Sequence, residues 1–208
     1  MIDPARLRLI VITDGGLAAP RSVESVVRLA LKAGAPAVQL RQKEASASEL
    51  LPTAGRLRGL CHQHGALFFV NDRLDVALAA EADGVHLGPD DLPVAAARRI
   101  VPPGFLVGYS TDDPAEARRA LDEGADYLGC GTVWPTGTKA DAGEAIGPEG
   151  LRQVVEAVPI PVVGIGGITS ERAGAIATTG AAGCAVIGAI MAADDPADAT
   201  RRLLAPFG

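Results

Sequence analysis

Two aspartates, Asp72 and Asp91, stand just beyond short apolar segments, Leu67 to Val70 and Gly84 to Leu87. Arg41 and Lys43 follow another such segment, and Lys139 lies in a glycine-containing loop. Carboxylates gathered with cations suit a magnesium diphosphate. Magnesium takes about six oxygens, and proteins commonly offer it one or two carboxylates and leave the rest to phosphate oxygens and water. Each aspartate taken singly has a second reading, because Asp is a favoured helix N-cap. Asp72 would cap a helix starting near Arg73, and Asp90 or Asp91 would cap the next. For an isolated residue the two readings are balanced, and the joint placement with Arg41, Lys43 and Lys139 favours the metal.

Arg41 and Lys43 flank Gln42 and would project the same way if the strand continues through them. There the Arg fork would grip phosphate oxygens and the Lys would act as a point charge. An isolated pair of this kind is more often a solvated face. Thr136, Thr138 and Lys139 sit in a loop from Gly131 to Gly147 that is longer than a connector requires. Gly166-Gly167 and Gly188 fall after the last two apolar runs, where a backbone can approach a phosphate closely, although a tight turn explains either site alone. Two anionic positions are implied, a metal-bound diphosphate and a separate monophosphate, and two such substrates suggest a joining reaction. His86 reads as a strand-end residue that packs or hydrogen-bonds. Cys61, His62 and His64 lack the spacing of a metal cluster. Trp134 either lines the mouth or packs under the loop.

The elements that must position these residues are eight apolar runs of strand length: Leu7 to Thr13, Ala37 to Leu40, Leu67 to Val70, Gly84 to Leu87, Phe105 to Tyr109, Tyr127 to Cys130, Val162 to Ile165 and Cys184 to Ile187. Several are uniformly apolar, as expected of a parallel sheet covered on both faces. Helical stretches alternate with them: Val23 to Ala33, Ser48 to His62, Leu74 to Ala80, Val94 to Ile100, Ala115 to Glu123, Glu149 to Ala157, Ser170 to Thr179 and Pro196 to Leu204. Ser22, Asp113-Pro114 and Ser170 give start signals, and Gly34, Gly124 and Gly180 sit where C-terminal caps belong. The pattern is α/β and predicts a (β/α)₈ TIM barrel, one domain over residues 1–208, whose strand ends converge on a single mouth. A doubly wound open sheet is the runner-up, but Asp14-Gly15-Gly16 does not make the GxGxxG turn expected after its first strand.

Composition narrows the partners. Of the 208 residues 48% are apolar and the net charge is −6, without the basic run or face that nucleic acid or an anionic membrane would need. Local cations can still hold a small anion. The first residues lack a continuous apolar stretch, so the expected location is cytoplasmic. Cys61, Cys130 and Cys184 form no CxxC pair and read as reduced, buried thiols. Nothing decides between a monomer and a homo-oligomer.

Six ordered motifs carry a resemblance that runs nearly end to end: Val38-Gln39-Leu40-Arg41-Gln42-Lys43, Asn71-Asp72-Arg73, Gly84-Val85-His86-Leu87-Gly88 with Asp91, Gly108-Tyr109-Ser110-Thr111, Pro135-Thr136-Gly137-Thr138-Lys139 and Ile165-Gly166-Gly167-Ile168. In these the chain resembles the thiamine-phosphate synthase family. The resemblance implies condensation of hydroxymethylpyrimidine diphosphate with a thiazole phosphate or its carboxylate, giving thiamine phosphate and pyrophosphate. It implies Mg2+ on Asp72 and Asp91, diphosphate on Arg41, Lys43, Asn71 and Lys139, and pyrimidine or diphosphate on Gln39 and Ser110. Thr136, Thr138, Gly167, Ile187 and Gly188 match positions that hold the thiazole phosphate. Lys139, Ser110, Arg41 and Lys43 are then the catalytic groups, stabilising charge on the departing pyrophosphate in a dissociative mechanism.

The chain departs from the family pattern in four places. Pro89 stands where Gln is usual, Asp90 where Glu is, Asp112 where His is frequent, and Gly188 where Ser is frequent. Gly188 leaves only backbone contact at the phosphate, and Pro89 bears on the geometry around Asp91. A thiazole tautomerase, sharing the barrel, would use a His near Ser110 and dispense with the metal. A non-catalytic phosphate-binding barrel would tolerate loss of Asp72, Asp91 or Lys139, all of which are present.

Overall fold

The computed structural model describes residues 2–137 and 144–208. Its strands are β1 (Leu9–Ile12), β2 (Ala37–Leu40), β3 (Leu67–Asn71), β4 (Gly84–Leu87), β5 (Leu106–Ser110), β6 (Tyr127–Cys130), β7 (Val162–Ile165) and β8 (Gly183–Val186). They pair in sequence order, all parallel, and β8 pairs back on β1 with Leu9 opposite Cys184, which closes the barrel. The predicted (β/α)₈ fold is therefore the observed one. Helices alternate with the strands: α1 (Gly15–Ala18), α2 (Val23–Lys32), α3 (Ala47–Gln63), α4 (Leu74–Ala79), α5 (Val94–Arg98), α6 (Pro114–Asp122), α7 (Gly147–Ala157), α8 (Ala173–Ala177), α9 (Gly188–Met191) and α10 (Pro196–Leu204).

The uniformly apolar runs form strands because each is buried on both sides: every residue of β1, β2, β4, β6 and β8 is buried. The helices bury one stripe each, as α2 does with Val26, Val27, Ala30 and Leu31. Each such Val or Leu side chain contributes roughly 1.5–3 kcal/mol by leaving water. Inside the barrel Phe69 of β3 reaches Tyr127 of β6, ring centroids 5.3 Å apart. These strands are not neighbours, so the contact crosses the lumen.

The face opposite the mouth is held by two aspartates. Asp83 accepts the Phe68 N–H at 2.8 Å and Asp126 accepts that of Val107 at 2.8 Å. Asp126 also pairs with Arg98, whose guanidinium donates to the carbonyls of Gly124 and Phe105. Both devices tie one strand's start to the next turn, on the face where barrels keep stability rather than chemistry.

The predicted start signals hold at Ser22 and Asp113, whose side chains accept from the N–H groups of Ser25 and Ala115. Gly34, Gly124 and Gly180 all take left-handed backbone beyond their helices. Ser170 does not start α8. The Thr169 carbonyl accepts from Arg172 and Ala173 instead, and the helix begins at Ala173. The first strand is shorter than expected because Pro4–Leu7 wind into a 3₁₀ turn. Four-residue α1 and α9 are too short to leave a periodic signal.

Candidate active site

At the C-terminal ends of the strands lies a cavity of about 910 Å³. Asp72 lines it directly after β3, and its backbone is unusual: φ is +62°, left-handed for a side chain that seldom goes there. Three bonds impose this conformation. Its N–H donates to the His86 carbonyl at 2.8 Å, the Arg73 N–H donates to Asn71 at 2.7 Å, and the Leu74 N–H donates to the Asp72 carbonyl at 3.1 Å. The capping alternative fails at this residue, since the N-cap of α4 is Arg73 and no side chain caps it. It fails at Asp91 too, because α5 begins after Pro93, again without a side-chain cap.

Asp91 closes a turn instead. Its Oδ2 accepts the Gly88 N–H at 2.6 Å, and its own N–H donates to the Gly88 carbonyl at 3.2 Å. Pro89 is the second residue of that turn, where a fixed φ is favoured and no N–H is needed. The substitution of Pro89 thus leaves Asp91 held by two bonds that do not involve it, while Asp90 is exposed.

Asp72 and Asp91 line the same cavity, and their carboxyls are near enough to act on each other. Partial burial, then the Asp91 carboxylate as neighbour and as charge, push the Asp72 carboxyl up to about 6, against the pull of Lys43 and Arg41. Two facing carboxylates either share a proton or hold a cation. This donor set fits magnesium, which needs few protein ligands. No group of three potential ligands exists among the described residues, so phosphate oxygens and water would complete the shell.

Arg41 and Lys43 both line the cavity, but not on a continued strand. β2 ends at Leu40 and a turn follows at residues 43–44. Arg41 is anchored by its N–H, which donates to Thr13 Oγ1 at 3.0 Å. Glu49 fastens the far end of the turn by accepting from the Ser46 N–H and hydroxyl.

Asn71, Ser110, Thr136, Gly167, Ile187 and Gly188 also line the cavity. Gln39 does not: it is 3% exposed within β2 and absent from the cavity wall. Thr138 and Lys139 lie outside the described residues. The stem of the long loop is tied across β7, with the Val133 N–H donating to Ile165 at 2.9 Å and the Trp134 N–H to Gly166 at 3.1 Å. Gly166 and Gly167 have φ of +99° and +61°, and a Cβ on them would lie 2.8 Å from Thr132 Cα and 2.7 Å from the Trp134 carbonyl oxygen. Both conformation and space demand glycine there.

The sequence reading missed two features. Arg172 lines the cavity, donates to the Gly167 carbonyl at 2.7 Å and lies 5.2 Å over the Trp134 ring. Trp134 packs against the core beneath this cation and is not part of the cavity wall. The second feature is a chain of side chains that runs from Ser110 through His86, which also lines the cavity, to Tyr127. His86 Nε2 lies 2.8 Å from Ser110 Oγ, and its Nδ1 lies 3.0 Å from the Tyr127 hydroxyl. His86, Gly108 and Tyr127 occupy one register row across β4, β5 and β6, so the absent side chain at Gly108 lets the outer two meet.

The family profile described as thiamine monophosphate synthase matches residues 9–190. The chain is 50% identical to the thiamine-phosphate synthase of Methanospirillum hungatei over 93% of this chain and 94% of that one. It is also 50% identical to that of Archaeoglobus fulgidus, over 95% and 92%. Among solved structures, the thiamine phosphate pyrophosphorylase of Pyrococcus furiosus superimposes with a TM-score of 0.88 at 47% identity, covering 96% of this chain and 95% of that one.

Proposed function

This chain belongs to the thiamine monophosphate synthase family, and we propose that it acts as a magnesium-dependent thiamine-phosphate synthase. It condenses a hydroxymethylpyrimidine diphosphate with a thiazole phosphate, or with its carboxylate and loss of carbon dioxide, to give thiamine phosphate and pyrophosphate. The observation that carries the reading is the close Asp72–Asp91 pair in the cavity wall with Arg41 and Lys43 acting on it.

Asp72 and Asp91 would hold the ion, which when bound neutralises part of the diphosphate charge. Arg41, Lys43, Asn71 and Lys139 bind the diphosphate oxygens. The carbon–oxygen bond to the diphosphate breaks first, its electron pair leaving with pyrophosphate, and the positive charge on the methylene carbon is shared with the pyrimidine ring. The thiazole nitrogen then donates its lone pair to that carbon. Arg41, Lys43, Lys139 and Ser110 stabilise charge appearing on the leaving group, so no protein nucleophile is required. Thr136 and the backbone at Gly167, Ile187 and Gly188 seat the thiazole phosphate on the opposite wall, and Thr138 is a further hydroxyl for that phosphate. Gln39 lies behind the wall and supports the pyrimidine side without touching the cavity.

Purified protein given both phosphorylated substrates and magnesium is expected to release pyrophosphate and form thiamine phosphate, with EDTA abolishing turnover. Isomerisation of a thiazole without metal and without pyrophosphate release would sink this reading in favour of a tautomerase.

A further inference from the structure

We propose that Tyr127 and His86 are positioning residues that fix the Ser110 hydroxyl as a hydrogen-bond donor pointed into the cavity. The proposal rests on the synthase reading for what Ser110 meets, and on the geometry alone for the direction of the chain.

Tyr127 is fully buried in the lumen, and its hydroxyl lies 3.0 Å from His86 Nδ1. Burial pushes its phenol well above the ordinary range, so the phenol keeps its proton. Either the phenol donates to Nδ1 or Nδ1–H donates to the phenol. A phenol O–H left without an acceptor in an apolar lumen costs the full desolvation of that donor. The first arrangement avoids this cost, because the ring nitrogen takes the proton of the phenol. An accepting Nδ1 belongs to the tautomer protonated at Nε2. That N–H faces Ser110 Oγ at 2.8 Å and donates to it. With a lone pair engaged, the hydroxyl turns its own proton outward. Ser110 lines the cavity, where substrate phosphate oxygens and pyrimidine ring nitrogens are all acceptors.

The space around the chain is shaped for it. A Cβ on Gly108 would collide with the Tyr127 ring and lie 2.6 Å from His86 Nδ1, and one on Gly129 would lie 3.0 Å from His86 Cε1. His86 is 9% exposed, and the Phe69 ring closes the other side of Tyr127. Ordinary packing does not call for two glycines on adjacent strands around one imidazole, and a histidine held in one orientation does.

The test is the tautomer of His86, read by long-range proton–nitrogen NMR on histidine-labelled full-length protein and assigned with His86→Gln. Protonation at Nε2 is expected, and protonation at Nδ1 overturns the proposal. In pyrophosphate-release assays His86→Met and Tyr127→Phe are expected to lower kcat about tenfold each, the worth of one neutral hydrogen bond, with KM for the thiazole substrate unchanged. His86→Gln, whose amide can donate where Nε2 does, is expected to recover most of that loss. In a Ser110→Ala background His86→Met should cost nothing further; a second full loss there means that His86 does not act through Ser110 and overturns the relay. Should His86→Met not fold, Tyr127→Phe and the tautomer still decide. Absence of pyrophosphate release from wild-type protein would instead refute the synthase reading and leave the tautomer to judge the relay.

Discussion

Asp72 combines the side chain proposed to hold magnesium with a backbone few residues adopt, and this determines which substitution tests it cleanly. Alanine at φ +62° would add strain of about 1 kcal/mol, whereas asparagine tolerates left-handed backbone and preserves the side-chain shape. Asp72→Asn is expected to fold normally, lose at least about a hundredfold in pyrophosphate release, an interaction worth upwards of 2.7 kcal/mol in the transition state, and lose any rise in melting temperature on adding magnesium. Normal magnesium dependence in this variant would remove Asp72 from the ligand set. The pH dependence follows from the same carboxyl. Its folded value, about 6, lies above the ordinary 3.8, so the folded state holds the proton more tightly than the unfolded chain. In metal-free protein the stability it contributes is complete below the ordinary value and is lost as pH rises through about 6. Metal-free wild type should therefore fall further behind Asp72→Asn near about pH 7.5 than near about pH 4.5, and magnesium should raise the melting temperature only at the higher pH. A gap between the two proteins that does not change with pH would contradict the assignment. The two aspartates were legible in the sequence because they follow apolar runs. Tyr127 was not, since inside Tyr127–Cys130 it looks like any core aromatic, and its partner is set by register on two other strands.

At the scale of elements, the turns after the strands bring most of the side chains to the mouth. β2 shows how sequence reading falls short: Arg41 and Lys43 reach the cavity through a turn, though alternation on a continued strand would have explained them equally well. The eight strands were readable because burial on both faces imposes uniform apolarity, and long helices because one face repeats. The short α9 and the late start of α8 depend on a few local backbone bonds, such as those to the Thr169 and Ile187 carbonyls, which leave no period. Gly108 is the element-scale test. Its absent side chain sets the spacing of three strands at once, so Gly108→Ala is expected to destabilise by about 3 kcal/mol or more, seen as a large drop in melting temperature. A wild-type melt would mean that β4 and β6 can move apart freely. The same glycine shows why loss of activity there cannot be assigned to chemistry alone.

Across the whole molecule the net charge is −6, yet the cavity gathers Arg41 and Lys43 at one side and Arg172 at the other. Fitness of the cavity for anions is thus a local property set by a few cations against the general field. Global charge, read from composition, argued against a nucleic-acid partner but was silent on small anions. Among the described residues no helix is long and apolar enough to cross a membrane. Closure of the sheet is likewise a property of the whole: β1 pairs with β8 through Leu9–Cys184, Ile10–Ala185 and Val11–Val186. A chain truncated before Gly183 is expected to lack a cooperative thermal transition and to aggregate, and a sharp two-state melt from that fragment would show closure to be dispensable.

That last pairing has a consequence in time. As the chain emerges during synthesis, β1 gains its β2 neighbour within some tens of residues, but its other edge stays bare until Gly183–Val186 arrive. The fully buried Leu9 and Val11 therefore wait until the six intervening strands have been made beside an open strand edge, the kind of surface to which another nascent chain can add. The seam that makes the finished barrel edgeless is the one that leaves its beginning exposed longest, and the cell's folding assistance would matter most in that interval.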